Sequence, residues 1–160
     1  MSELDVIFRC DAGQKEGLGH LKRCLVLADY LREKGKLIKF VCKTREPSIN
    51  AFLNGYETIY LADYCDISVL QDCPDEDAKA TLRAIGLADN GGWVIVDHYA
   101  VSHEWERALG DAGYLLAAFD DFRDRKHHVD ILVSEANVPF AAESISDTLT
   151  LFGPQYALVS

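Results

Sequence analysis

The residue best placed for chemistry is His20. It ends the glycine loop Gly17-Leu18-Gly19-His20, which follows a short apolar run, Val6-Ile7-Phe8, and the break Asp11-Ala12-Gly13. Glycines let a backbone approach a ligand closely, and the amide groups of a helix amino terminus point into the space they leave. Leu21, Cys24, Leu25, Ala28 and Leu31 recur at helical spacing, so a helix packs on a sheet while His20, ahead of the stripe, stays near the mouth of the pocket. A helix amino terminus disfavours imidazolium, so a neutral His20 able to accept a proton is expected, as a general base requires. Taken alone, the segment equally fits a turn glycine with a helix-capping histidine. The pattern is not G-x-G-x-x-G, because Gly17-Leu18-Gly19 runs into His20-Leu21-Lys22, and the Gly-Lys-Ser/Thr of a triphosphate loop is missing.

Further polar groups lie at the ends of apolar runs. Val94-Ile95-Val96 runs into Asp97-His98-Tyr99, and Phe119 into Asp120-Asp121. Asp97 suits either capping of the next turn or orientation of a catalytic group. His98 reads as a satisfied half-buried histidine or a catalytic one, and Tyr99 as a packing ring or a ligand contact. Asp120-Asp121 lacks the further oxygen ligands a hard cation needs. His127-His128, beside Arg123, Arg125 and Lys126, reads as a solvated cluster rather than a zinc site, and Asp75-Glu76-Asp77 as first-turn charges complementing a helix dipole. No metal and no cofactor are expected.

The elements that must position these groups alternate regularly. Strands are expected at Asp5–Arg9, Leu37–Cys42, Glu57–Leu61, Trp93–Asp97, Leu115–Phe119 and Ile131–Val133, with a last edge strand at Leu149–Phe152. Helices are expected at Leu21–Lys34, near Ser48–Leu53, from about Pro74, and from His103 to Ala112 with Ser102 as cap; Tyr64–Cys73 reads as a surface loop and Phe140–Ser146 as a small polar stretch. Such alternation is that of an α/β domain with a doubly wound parallel sheet. Ligands of such sheets bind beyond the carboxyl ends of the strands where the strand order reverses, which brings His20 and Asp97-His98-Tyr99 to one crevice.

With 26 acidic and 16 basic residues among 160, the formal charge is −10, which argues against nucleic acid or an anionic membrane as partner. A chain of this length suits one domain. Five cysteines without a C-x-x-C pair read as small buried hydrophobes in a reducing cytoplasm, and no apolar run reaches membrane-spanning length.

Together, Phe8-Arg9-Cys10-Asp11-Ala12, Gly17-Leu18-Gly19-His20-Leu21-Lys22-Arg23-Cys24-Leu25, Val94-Ile95-Val96-Asp97-His98-Tyr99, Phe119-Asp120-Asp121 and Phe152-Gly153-Pro154-Gln155-Tyr156-Ala157-Leu158 resemble the UDP-sugar hydrolases of pseudaminic acid biosynthesis. Those enzymes act on UDP-2,4-diacetamido-2,4,6-trideoxy-β-L-altrose. The resemblance covers almost the whole chain in order. It implies a Rossmann-like amino-terminal half (1–153) of a glycosyltransferase-B-like architecture, with 154–160 starting a linker to a carboxyl-terminal nucleotide-binding domain in cis or trans. It implies metal-independent attack of water at the anomeric carbon with His20 as catalytic base. Asp11, Gly17, Gly19, Arg23, Asp97, His98 and Tyr99 are the implied substrate-binding positions. The chain departs from the resemblance at Ser134-Glu135-Ala136-Asn137, where the family has Asp-Gln-Asn, and it stops at Ser160 where the family continues. An apolar face open to self-association is therefore expected. Two other functions fit the same residues: the acceptor half of a glycosyltransferase of the same fold, and a non-enzymatic half that binds a sugar or a partner.

Overall fold

A computed structural model describes residues 5–12, 17–43, 47–61, 74–88, 91–122, 125–136 and 147–158. Seven strands form one sheet: β1 (Val6–Cys10), β2 (Ile38–Cys42), β3 (Glu57–Tyr60), β4 (Trp93–Asp97), β5 (Leu115–Phe119), β6 (Ile131–Ser134) and β7 (Leu149–Phe152). Their order is β3-β2-β1-β4-β5-β6-β7, and every pairing is parallel. The helices are α1 (Gly19–Glu33), α2 (Pro47–Phe52), α3 (Pro74–Ile85) and α4 (His103–Asp111), with a 3-10 turn at Pro154–Tyr156. The protein thus has the Rossmann-like α/β fold expected. Helix α1 begins two residues earlier than its apolar stripe, so His20 lies inside its first turn. The loop expected at Tyr64–Cys73 and the polar stretch Phe140–Ser146 lie outside the described residues, as do Gly13, Cys65 and Cys73.

Side chains alternate across a strand, and this parity splits the core in two. Val6, Phe8, Cys10, Phe40 and Ile95 meet Leu21, Cys24 and Ala28 of α1 on one face. Ile7, Val94, Val96, Leu116 and Leu132 meet Ala78 of α3 and Trp105 and Leu109 of α4 on the other. Right-handed crossovers running from β1 toward β2 lie on the first face and those from β4 toward β5 on the second, so among the described residues the first face of β4 to β7 has little helical cover. The result is an apolar groove of about 520 Å³ bordered by Leu31, Ile95, Phe119, Val133, Leu151 and Leu158. Cys10, Cys24 and Cys42 are free and buried, as their apolar surroundings in the sequence imply. Among the described residues no helix is long and apolar enough to cross a membrane.

Two readings need correction, and a third is extended. Ser102 takes the position before α4 in extended backbone, but its side chain makes no capping bond. Asp77 lies in the first turn of α3, as expected, yet it does not face solvent. It is fully buried, accepting from Arg9 Nη2 at 2.8 Å, from Trp105 Nε1 at 2.7 Å and from Thr81 Oγ1 at 3.3 Å. Arg9 is the reason: parity turns this strand cation toward α3 and α4, where a buried guanidinium needs carboxylates, and it pairs with Asp11 at 2.9 Å as well as Asp77. His127 likewise departs from the solvated cluster. It is buried between Glu106 Oε1 at 2.7 Å and Asp120 Oδ2 at 2.9 Å, while Lys126 and His128 are exposed.

Candidate functional site

The sheet order reverses between β1 and β4, and the loops leaving the carboxyl ends of those strands converge there. Asp97 is the last residue of β4 and shares parity with Trp93 and Ile95, so it faces α1. His20 and Arg23, three residues apart on α1, therefore meet it from one helix face. His20 Nδ1 lies 2.5 Å from Asp97 Oδ1. Arg23 donates to Asp97 twice, from Nε to Oδ2 at 2.7 Å and from Nη2 to Oδ1 at 2.8 Å. A carboxylate that accepts from a guanidinium on both oxygens offers no proton, so the network assigns the hydrogen of this imidazole to Nδ1 and leaves Nε2 as the acceptor. An imidazole held in this way has the geometry that a general base and its orienting carboxylate require.

Arg23 also binds Asp121 Oδ2 at 2.6 Å and reaches Glu135 at 3.6 Å, and its guanidinium stacks 4.6 Å from the Phe119 ring centroid. Burial works against its charge, but the Asp97 and Asp121 carboxylates outweigh it and hold the group more firmly protonated than a free arginine. Arg23 thereby ties the loops after β4, β5 and β6 to one point. Glu135 contributes this ion pair, and its backbone amide donates to Asp121 Oδ1 at 3.1 Å.

Gly17 takes a left-handed φ of +76°, which a side chain adopts at a cost, and a Cβ at Gly17 or Gly19 would meet nothing within 4 Å. Side chains at these two positions would therefore meet no described neighbour. Tyr99 also touches His20, its ring centroid 4.3 Å from that of the imidazole in an edge-on arrangement. Burial and then the Asp97 charge raise the Tyr99 phenol above its ordinary pKa, so it stays protonated and able to donate.

Asp11 and His98 sit one layer deeper. His98 Nδ1 accepts from the Ala100 amide at 3.0 Å, which leaves Nε2–H to donate to Asp11 Oδ2 at 2.9 Å. Asp11 Oδ1 accepts from the Lys43 amide at 2.6 Å. Burial alone would raise the Asp11 pKa, but Arg9, His98 and the Lys43 amide together hold it well below the usual carboxylate range. Both residues are almost wholly buried and fasten the loop after β1 to the loop after β4.

Two features of the site were missed in the sequence. The first is the Arg9–Asp77 pair beneath Asp11, for which an arginine inside a fully buried strand was the available signal. The second is the division of Asp120-Asp121: Asp121 turns to Arg23, while Asp120 turns to His127 and accepts from the Phe122 amide at 3.1 Å. These two carboxylates belong to separate networks. Burial of His127 opposes its charge, but the hydrogen bonds it donates to Asp120 and Glu106, and their charges, raise its pKa from 6.5 to about 9. A pKa raised in the folded state contributes stability that is complete below about 6.5 and lost as the pH rises through about 9. The melting-temperature gap between the wild type and His127→Gln is therefore expected to be widest just below about pH 6.5 and to narrow as the pH rises through about 9. A gap independent of pH would show that His127 is not held charged.

No family model matches the chain. It is 26% identical over 151 residues to the UDP-2,4-diacetamido-2,4,6-trideoxy-beta-L-altropyranose hydrolase of Campylobacter jejuni subsp. jejuni serotype O:2, covering 88% of this chain and 48% of that protein. The chain thus spans about half the length of this curated relative. Among solved structures, MurG of Acinetobacter baumannii, a GT-B glycosyltransferase, superposes with a TM-score of 0.59 at 10% identity, over 93% of this chain and 45% of MurG. That likeness is one of fold, and it fits one half of a GT-B-like architecture.

Proposed function

We propose that this chain is the catalytic half of a nucleotide-sugar hydrolase acting in the cytoplasm on UDP-2,4-diacetamido-2,4,6-trideoxy-β-L-altropyranose, the substrate in the name of its Campylobacter relative. The observation that carries this reading is the His20–Asp97 hydrogen bond at the reversal of the sheet. Water placed against Nε2 gives its proton to that nitrogen while its oxygen bonds to the anomeric carbon. The bond from that carbon to the UDP oxygen breaks, and UDP leaves with the electron pair. Asp97 holds the ring in the accepting tautomer and stabilises the imidazolium that forms. Arg23 fixes Asp97. Gly17, Gly19 and Tyr99 border the sugar, and Asp11 and His98 hold the two loops that frame it. No step is assigned to a metal or cofactor.

The MurG likeness favours one second reading, in which the same base deprotonates a sugar hydroxyl and the chain is the acceptor half of a glycosyltransferase. The discriminating observation is whether UDP release needs a second sugar. The grip on UDP is assigned to a carboxyl-terminal domain, because binding energy from remote parts of a substrate is what positions the reacting carbon. The 160-residue chain alone is accordingly expected to bind UDP weakly and to release little of it from the UDP-sugar, and to gain turnover when a separately expressed carboxyl-terminal half of such a hydrolase is added. Calorimetry with UDP and a UDP-release assay test this. Micromolar UDP binding or full turnover by the chain alone would overturn the reading of it as half an enzyme.

A further inference from the structure

Phe122, on the loop after β5, is 62% exposed, although it belongs to the residue class that most gains from burial. Single exposed apolar side chains are ordinary, but Phe122 is not single. Its ring lies 4.9 Å from that of Tyr99, tilted by 49°, and Tyr99, itself 47% exposed, lies edge-on to His20. Two aromatic rings from two different loops thus form a continuous apolar surface that ends at the imidazole. The support beneath it is rigid. Asp120 is buried, accepts from the Phe122 amide and is gripped by His127, and Arg125 Nη1 donates to the Tyr99 carbonyl oxygen, fastening the two loops together.

We infer that Phe122 and Tyr99 form a stacking platform for the apolar C–H face of the substrate sugar, and that Phe122 is a specificity determinant of the site. This rests on the hydrolase reading. A pyranose carries its C–H bonds in patches on its faces, and these settle on the electron-rich face of an aromatic ring while the polar substituents point elsewhere. A 6-deoxy sugar adds a methyl group to such a patch, which suits two rings better than one. The polar groups needed for orientation lie at the His20 end, so the platform holds the ring while the anomeric carbon reaches the base. A pre-held aromatic pair loses little freedom on binding, which favours a weakly polar ligand.

The test is saturation-transfer NMR on the 160-residue chain with the free sugar 2,4-diacetamido-2,4,6-trideoxy-L-altrose, irradiating aromatic protons, alongside UDP release from the UDP-sugar by a two-domain form. Transfer is expected to be strongest to the ring C–H protons of one face and to the C6 methyl. Phe122→Ala is expected to weaken sugar affinity about fivefold to tenfold, on the scale of one aromatic contact, while Phe122→Trp retains it. Because Phe122 is exposed, both variants fold, and circular dichroism checks this. Absent transfer, or transfer and affinity unchanged in Phe122→Ala, overturns the platform even if UDP-sugar is hydrolysed. Transfer that depends on Phe122, without hydrolysis by any form, upholds the platform and instead removes the hydrolase reading.

Discussion

Replacing His20 with Asn in a two-domain form is expected to lower the proposed UDP-sugar turnover by about 10²–10⁴, the usual worth of a positioned general base, while the fold and its melting temperature change little. The reason is geometric. Asn keeps a polar group of similar reach at the first turn of α1 but supplies no nitrogen that takes a proton near neutral pH. Asp97→Asn is expected to cost activity by a different route: the amide can offer its own N–H to Nδ1, driving the ring proton to Nε2, where it blocks acceptance from water. Arg23 would then lose a carboxylate on which it forms two bonds. Steady-state UDP release by the two variants, compared with the wild type at matched folded fraction, checks both. Near-normal turnover in His20→Asn removes it from the mechanism.

The second large effect is on stability. Asp77→Ala is expected to destabilise the protein by about 3–5 kcal/mol, the cost of leaving a buried ion without its partner. Three donors lose their acceptor at once: the Arg9 guanidinium, the Trp105 indole N–H and the Thr81 hydroxyl. The pairing with Asp11 remains, but one carboxylate then serves a guanidinium, a histidine and a backbone amide inside the sheet. A shift of the urea midpoint at unchanged slope measures the loss. A cost below about 1 kcal/mol would mean that water or a rearranged Asp11 compensates the cation.

The sheet was legible because each parallel strand buried on both faces reads as a continuous apolar run, and because glycine or polar breaks separate those runs. Trp93–Asp97, Leu115–Phe119 and Leu149–Phe152 match their expected bounds. The meeting of His20 with Asp97 was also legible, since the strand order alone brings their loops together at the reversal. Strand parity was the step that sequence reading left out. It turns Asp97 toward α1 and Arg9 away from it, and so decides which of two neighbouring charges reaches His20. The same omission hid Asp77 and His127, whose surroundings in sequence are charged and whose surroundings in space are Trp105, Thr81 and Glu106. Local charge patterns report on exposure only where no distant element supplies a partner, and β1, β5 and α4 each supply one.

The most direct test of the central claim is hydrolysis of the UDP-sugar in water enriched in oxygen-18, followed by mass analysis of both products. In the proposed reaction, water activated by His20 attacks carbon, so the account predicts the label on the anomeric hydroxyl of the released sugar, none in UDP, and loss of both products in His20→Asn. Label in the UDP phosphate, or labelled sugar formed as fast by His20→Asn, would contradict it.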